Sequence, residues 1–359
     1  MKVPYLVTKE LVVASLRDPK HRPLPHLVAA TVDDLLEATI IGSFSKIGFE
    51  VRQFLWSWPA PHRVDGKTFL VTGASSGIGR AIAENLAQRG ARLWLHGRDK
   101  DRMDATRTAV MAAGAAWSEV LLSDLSTLDG VSAVAEAILQ SNHKLNGLIH
   151  NAGVLHDAFG AAEDGTELTL ATNVLAPFRL TTLLSPRLRK NAATIVTVSS
   201  GGMYTQRFDL DHLASDRDSY KGVTAYARTK RAQVVLAHEW ARRWKVDGVK
   251  SYVMHPGWAE TPGLANSLPS VARLGPLLRT PAQGADTAAW LASDGPANES
   301  SKSDGRRPRD GGIWLDRRLR RMYYLPNTYV APSRRLRDGQ DLWAWCEARS
   351  GIPEPSESQ

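Results

Sequence analysis

Tyr226 and Lys230 stand four residues apart in Tyr226-Ala-Arg-Thr-Lys230, a spacing that on a helix puts a phenol and an ammonium on one face. A phenol beside a cation is an acid–base device, because the positive charge favours phenolate in a group that otherwise titrates near ~10. The pair alone says little, since tyrosine and lysine fall at this spacing by chance in many chains. Other residues offer it company. Ser199-Ser200-Gly201-Gly202 follows an apolar run and places a hydroxyl at its end. Asn173 sits in a mostly apolar helical stretch, where a buried amide needs partners. Gly73-Ala-Ser75-Ser76-Gly77-Ile78-Gly79 links an apolar run to a helical one. Such a turn lets a pyrophosphate approach backbone N–H groups at a helix N-terminus, where the dipole favours negative charge and a Cβ would obstruct. Its spacing is Gly-x-x-x-Gly-x-Gly rather than the G-x-G-x-x-G of other dinucleotide sites.

The elements that must hold these groups alternate regularly. A strand over 67–72 leads through the glycine turn into a helix over 80–90. Further strands are expected at 91–96, 119–122, 147–150, 194–198, 249–254 and 312–315, with helices between them, among them 131–140, 168–184 and 225–244. Alternation of this kind predicts an α/β, doubly wound Rossmann fold with a seven-stranded parallel sheet, whose ligands lie at the carboxyl ends of the strands. The motifs fall at those ends. Arg98 follows the second strand, where a cation suits a 2′-phosphate and so NADP over NAD. Asp124 and Leu125 follow the third, within reach of an adenine amino group. Asn151, Ala152 and Gly153 follow the fourth, either packing on the glycine turn or bordering a cofactor. Pro256 and Gly257 follow the sixth, with Thr261 just beyond.

Outside this core, residues 1–62 read as a helical extension, with one helix over 29–36 and an aromatic amphipathic stretch from Phe44 to Trp58 that ends at Pro59 and Pro61. That stretch either packs on its own domain or lies on a membrane surface. The catalytic domain is expected at 63–322 and a tail at 323–359. The formal charge of +8 comes from one place: residues 302–337 carry eleven basic and three acidic side chains. With no nucleic-acid-binding motif beside it, this basic segment reads as a solvated surface, and no nucleic-acid partner is expected. A single cysteine, Cys346, excludes an internal disulfide, and no Cys/His spacing suggests a metal. No apolar run reaches membrane-spanning length and no signal peptide is evident, so a cytoplasmic protein is expected, with peripheral membrane contact left open.

Taken together, Thr72-Gly73-x-x-x-Gly77-x-Gly79, Asp124-Leu125, Asn151-Ala-Gly153, Asn173, Ser200, Tyr226-x-x-x-Lys230 and Pro256-Gly257 resemble the short-chain dehydrogenase/reductase family over about residues 64–318. The segments around Ser200, Tyr226 and His255-Pro256-Gly257 are similar to the retinol-dehydrogenase branch and to the group of SDR family member 12. The resemblance implies Tyr226 as general acid/base, Lys230 as both its electrostatic partner and the holder of the nicotinamide ribose, and Ser200 as donor to the substrate oxygen. It also implies Asn173 as the anchor of a water that links Lys230 to solvent, NADP(H) as cofactor with NAD(H) as the alternative, and a homo-oligomer. The long interval from Ser200 to Tyr226 makes 204–222 an inserted loop near the substrate mouth. Trp258, Leu264, Leu268, Leu274, Leu277 and Leu278 make the segment after Pro256 apolar, so a hydrophobic alcohol or carbonyl of lipid, steroid or retinoid type is the expected substrate. Ser199-Ser200-Gly201 is not the G-x-S-x-G elbow of a hydrolase, and no G-x-x-x-x-G-K-[ST] phosphate loop appears, so nothing at these positions matches a competing chemistry. The second reading is a dinucleotide-binding sensor docked on a membrane or partner, which would need only the nucleotide half of the site.

Overall fold

The computed structural model describes residues 26–261, 273–293, 312–350 and 352. Its centre is a sheet in the order β3-β2-β1-β4-β5-β6-β7-β8, formed by β1 (Thr68–Val71), β2 (Arg92–Gly97), β3 (Trp117–Leu122), β4 (Gly147–His150), β5 (Thr194–Val198), β6 (Lys250–Met254), β7 (Ile313–Leu315) and β8 (Arg318–Arg320). Side chains alternate across it: Phe69 and Val71 enter one core layer and Leu70 the other, as do Leu93 and Leu95 against Trp94. Both faces are covered, which is why the strands read as continuous apolar runs. The order reverses between β1 and β4, so their carboxyl ends diverge and open a crevice there.

The sheet has eight strands, one more than the seven expected, and the extra strand β8 runs antiparallel to β7. The two-residue turn between them, Asp316-Arg317, has positive φ at both residues, 53° and 56°. Glycine or asparagine normally signals such a turn, so the sequence hides it. Side chains with a task occupy it here. Asp316 accepts from Arg52 and Arg279, and Arg317 pairs with Asp286 at 2.7 Å.

Those contacts also revise the reading of the basic segment as a solvated surface. Arg317 and Arg320 are each 7% exposed, and Arg320 pairs with Asp33 and Glu37 of the N-terminal extension. The arginines at 306, 307 and 309 lie outside the described residues. The extension itself forms α1 (His26–Glu37), α2 (Ile40–Phe44) and α3 (Lys46–Leu55). The expected single stretch from Phe44 is broken at Ser45, and α2 and α3 approach so closely that a Cβ on Gly48 would lie 2.0 Å from the Gly42 carbonyl. Phe44, Phe49 and Leu55 are buried.

Around the sheet lie α4 (Gly77–Ala87), α5 (Lys100–Ala113), α6 (Leu128–Gln140), α7 (Leu168–Leu170), α8 (Ala176–Leu183), α9 (Ser185–Lys190), α10 (Gly222–Arg243) and α11 (Pro281–Ala292). The helix expected over 168–184 is interrupted by a π turn, Ala171–Leu175. Pro177 explains it: the proline lacks the N–H that the Asn173 carbonyl would accept in an α-helix, and its ring crowds that carbonyl. The segment read as a tail contains α12 (Pro332–Ser350), which packs on α10 and α8. Trp343 meets Phe178 edge-on at 5.0 Å, and Leu342, Trp343 and Cys346 belong to the core. Among the described residues no helix is long and apolar enough to cross a membrane.

Candidate active site

At the carboxyl ends of β1, β4, β5 and β6 lies an open cleft of about 520 Å³. Every catalytic or cofactor-side residue singled out in the sequence lines it, except Asn173.

The glycine turn forms one end. Gly73 and Gly77 have φ of +65° and +55°, and a Cβ on Gly79 would lie 2.2 Å from the Gly73 carbonyl. Asn151 fastens the turn, its Nδ2 donating to the Thr72 and Gly73 carbonyls at 3.0 and 3.1 Å. Of the two roles open to Asn151 it therefore fills both, bracing the turn and bordering the cleft. The Ser76 side chain at the N-cap of α4 makes no capping hydrogen bond, so the first N–H groups of this helix are not met by their usual side-chain acceptor. A glycine-lined helix end in this state fits a pyrophosphate.

Farther along, Arg98 and Asp124 face each other at 3.4 Å, both substantially exposed. Burial pushes the Asp124 carboxyl up, but the hydrogen bonds from Ser126 and the charge of Arg98 outweigh it and hold the group below its usual range. His96, which sequence reasoning missed, also borders the cleft and bonds through Nε2 to Ser123. Burial lowers its pKa to about 4, so it is neutral. Its only signal was its place at the end of β2. His150 and His255 are buried and neutral, both with pKa depressed to about 3 by burial, and neither lines the cleft.

The other end holds Ser200, Tyr226 and Lys230. Ser200 follows β5 and hydrogen-bonds the Tyr226 phenol. Lys230 is buried, with Nζ donating to the Val198 carbonyl at 3.0 Å and lying 5.4 Å from the Tyr226 ring centroid. Burial draws its pKa down to about 7. The Tyr226 phenol is raised, because burial disfavours phenolate more than the Ser200 hydrogen bond favours it. This direction is opposite to the phenolate bias expected from the spacing, because here the burial of the phenol decides its titration. Asn173 lies behind the cleft wall. Its Oδ1 accepts from the Val154 N–H at 2.9 Å, and its Nδ2 donates to the Val154 carbonyl and to Thr229 Oγ1, each at 3.0 Å. These bonds hold the loop after β4 to α10.

The N-terminal extension reaches this end, which sequence did not reveal. The Phe44 carbonyl accepts from the Trp258 N–H at 2.9 Å. Its ring packs on His255 at 4.6 Å and leaves no room for a Cβ on Gly201. Trp258 and Leu278 therefore pack into the wall and do not line the cleft, nor do Leu274 and Leu277, while Leu264 and Leu268 lie outside the described residues. The inserted loop is fastened at both ends: Tyr204 Oη donates to the Arg321 carbonyl and Tyr220 Oη to Glu167.

Comparison with known proteins agrees with this geometry. A family model described as short chain dehydrogenase matches residues 67–271. Dehydrogenase/reductase SDR family member 12 of Bos taurus is 42% identical over 233 residues, which cover 64% of this chain and 73% of that protein. Retinol dehydrogenase 14 of Mus musculus is 35% identical over 253 residues, covering 65% and 75%. Among solved structures, a 3-oxoacyl (acyl-carrier-protein) reductase from Agrobacterium tumefaciens C58 with NADP bound has a TM-score of 0.55 at 25% identity, covering 66% of this chain and 91% of that one.

Proposed function

This chain belongs to the short-chain dehydrogenase/reductase family and is an oxidoreductase acting on CH–OH donors, and we propose that it interconverts a hydrophobic alcohol and its carbonyl with NADP(H). The observation that carries the proposal is the meeting of Ser200, Tyr226 and Lys230 at one end of a cleft whose other end is a glycine-lined, uncapped helix N-terminus. The relative of known structure that holds NADP, the cation at Arg98 and the names of the retinol dehydrogenase relatives support cofactor and substrate class.

When bound, the reduced nicotinamide supplies the hydride that reduces the carbonyl carbon. The chain does the rest. Its raised pKa keeps the Tyr226 phenol protonated at neutral pH, so it donates a proton to the carbonyl oxygen in the direction of reduction. Ser200 directs a hydroxyl at the same oxygen and stabilises its growing charge. Lys230 has an N–H left for the nicotinamide ribose after Val198 and its own helix are served. Val154 and Leu155, at the edge of the cleft, supply apolar surface for the substrate.

The test is a screen of retinoid, steroid and long-chain carbonyls against small polar ones with NADPH, on wild type and Tyr226→Phe. Turnover of the lipidic group is expected, with kcat reduced ~10²–10⁴-fold in the variant and NADPH affinity nearly unchanged. Preference for the polar group would overturn the substrate class. Leu27, Leu35, Ile40, Ile41 and Ile47 stand exposed on the N-terminal helices, an observation that favours contact with a lipid surface as the source of such substrates. Flotation with liposomes, lost when these residues become serine, would bear that out.

A further inference from the structure

Gln233 is one turn beyond Lys230 on α10 and is 1% exposed, yet both ends of its amide are engaged. Nε2 donates to the Asn173 main-chain carbonyl at 2.7 Å, and Oε1 accepts from Lys230 Nζ at 3.1 Å. The carbonyl is available because Pro177 cannot serve it within the helix. The partners dictate the amide's orientation, since a main-chain carbonyl only accepts and an ammonium only donates. A flipped amide would set acceptor against acceptor and donor against donor in buried space. An apolar residue here would leave a carbonyl unpaired and deprive the ammonium of one acceptor.

We infer that Gln233 is a positioning residue of the acid–base site, its side-chain amide spanning Lys230 and Asn173 and fixing the lysine ammonium beside Tyr226. The inference rests on the oxidoreductase reading of that pair. Gln233 thereby joins Lys230 to the Asn173 main chain, while the Asn173 side chain bonds Val154 and Thr229. Around the ammonium stand the Val198 carbonyl at the end of β5, the Gln233 amide and Tyr226 ring on its own helix, and Gly153 after β4, where a Cβ would lie 3.2 Å from Lys230 Nζ and 3.3 Å from Asn173 Oδ1.

The experiment follows Lys230 directly, by NMR titration of protein carrying 13C-labelled lysine side chains, with the signal assigned by its loss in Lys230→Met. Gln233→Met keeps the length of the side chain but removes donor and acceptor, and should lower the Lys230 pKa by about one unit, a tenfold change in its charged fraction. Gln233→Glu keeps an acceptor and adds charge, and should raise it. The kcat–pH profile with NADPH should move in the same two directions while KM for the carbonyl stays within about twofold. Melting temperatures separate loss of fold from loss of position, and Gln233→Glu carries the test if Gln233→Met does not fold. Wild-type titration of Lys230 in both variants would overturn the inference. Shifted titration in a wild-type background that reduces no carbonyl would remove the reductase reading and leave the hold of Gln233 on Lys230 standing.

Discussion

Arg98 follows β2 with its side chain mostly in solvent and an ion-pair neighbour, Asp124, at 3.4 Å. A pair that exposed contributes little to stability, which leaves the guanidinium free to exchange partners. A 2′-phosphate would offer a doubly charged one, and a hydrogen bond to a charged group is worth ~1.5–3 kcal/mol. Arg98→Ala should therefore cut NADPH affinity about tenfold or more and leave NADH binding little changed, as read by calorimetry. Equal losses for both nucleotides would mean that Arg98 holds the loop and does not select the cofactor. Ser200, Tyr226, Lys230 and the three glycines of the turn were all legible at this scale, because each has a residue type and a spacing that its chemistry demands. Gln233 was not, since an amide on a helix names no partner until Pro177 and Asn173 are placed beside it. His96 and Phe44 were missed for the same reason.

Among the elements, the strands and helices of the core follow from apolar runs punctuated by glycine, and the sheet order from right-handed crossovers. The boundary errors have local causes. A π turn arose where proline starved a carbonyl, and β8 arose through a turn whose residues, Asp316 and Arg317, are chosen for charge and not for φ. Helix α12 is the larger revision. Trp343 sits 5.0 Å from Phe178 with Arg243 stacked 4.0 Å over its ring. Trp343→Ala should cost ~3–5 kcal/mol in urea unfolding, the range for a large aromatic removed from a core. A loss under ~1 kcal/mol would mark α12 as an appendage and not as part of the packed domain.

For the molecule as a whole, the joint between the N-terminal extension and the sheet is a buried charge network. Arg52 reaches Asp33 and Asp316, each at 2.8 Å, and Arg279 holds the other oxygen of Asp316 at 2.6 Å. Burial would raise the Asp316 pKa, but Arg279 and Arg52 outweigh it and bring it to about 2 from an unfolded value near 3.8. Its folded pKa is depressed, so its contribution is complete above about pH 4 and is lost as pH falls through about 2. Asp316→Asn should lower stability at pH 7 and flatten the decline below pH 4, measured by unfolding at a series of pH values. An unchanged acid limb would show that Asp316 does not set it. Arg52→Met should also lower stability at pH 7, because Asp33 and Asp316 each lose one guanidinium partner and keep only Arg320 and Arg279 respectively as their close buried ones.

Local chemistry needs particular side chains at particular separations along the chain, and so the sequence by itself determined the parallel sheet, the glycine turn and the Tyr226–Lys230 pair. Burial and long-range pairing depend on which distant segments meet. Only the tertiary structure therefore decided that Arg320 closes on Asp33 and Glu37, that Phe44 backs the site, that the phenol of Tyr226 is raised rather than lowered, and that Gln233 ties Lys230 to Asn173.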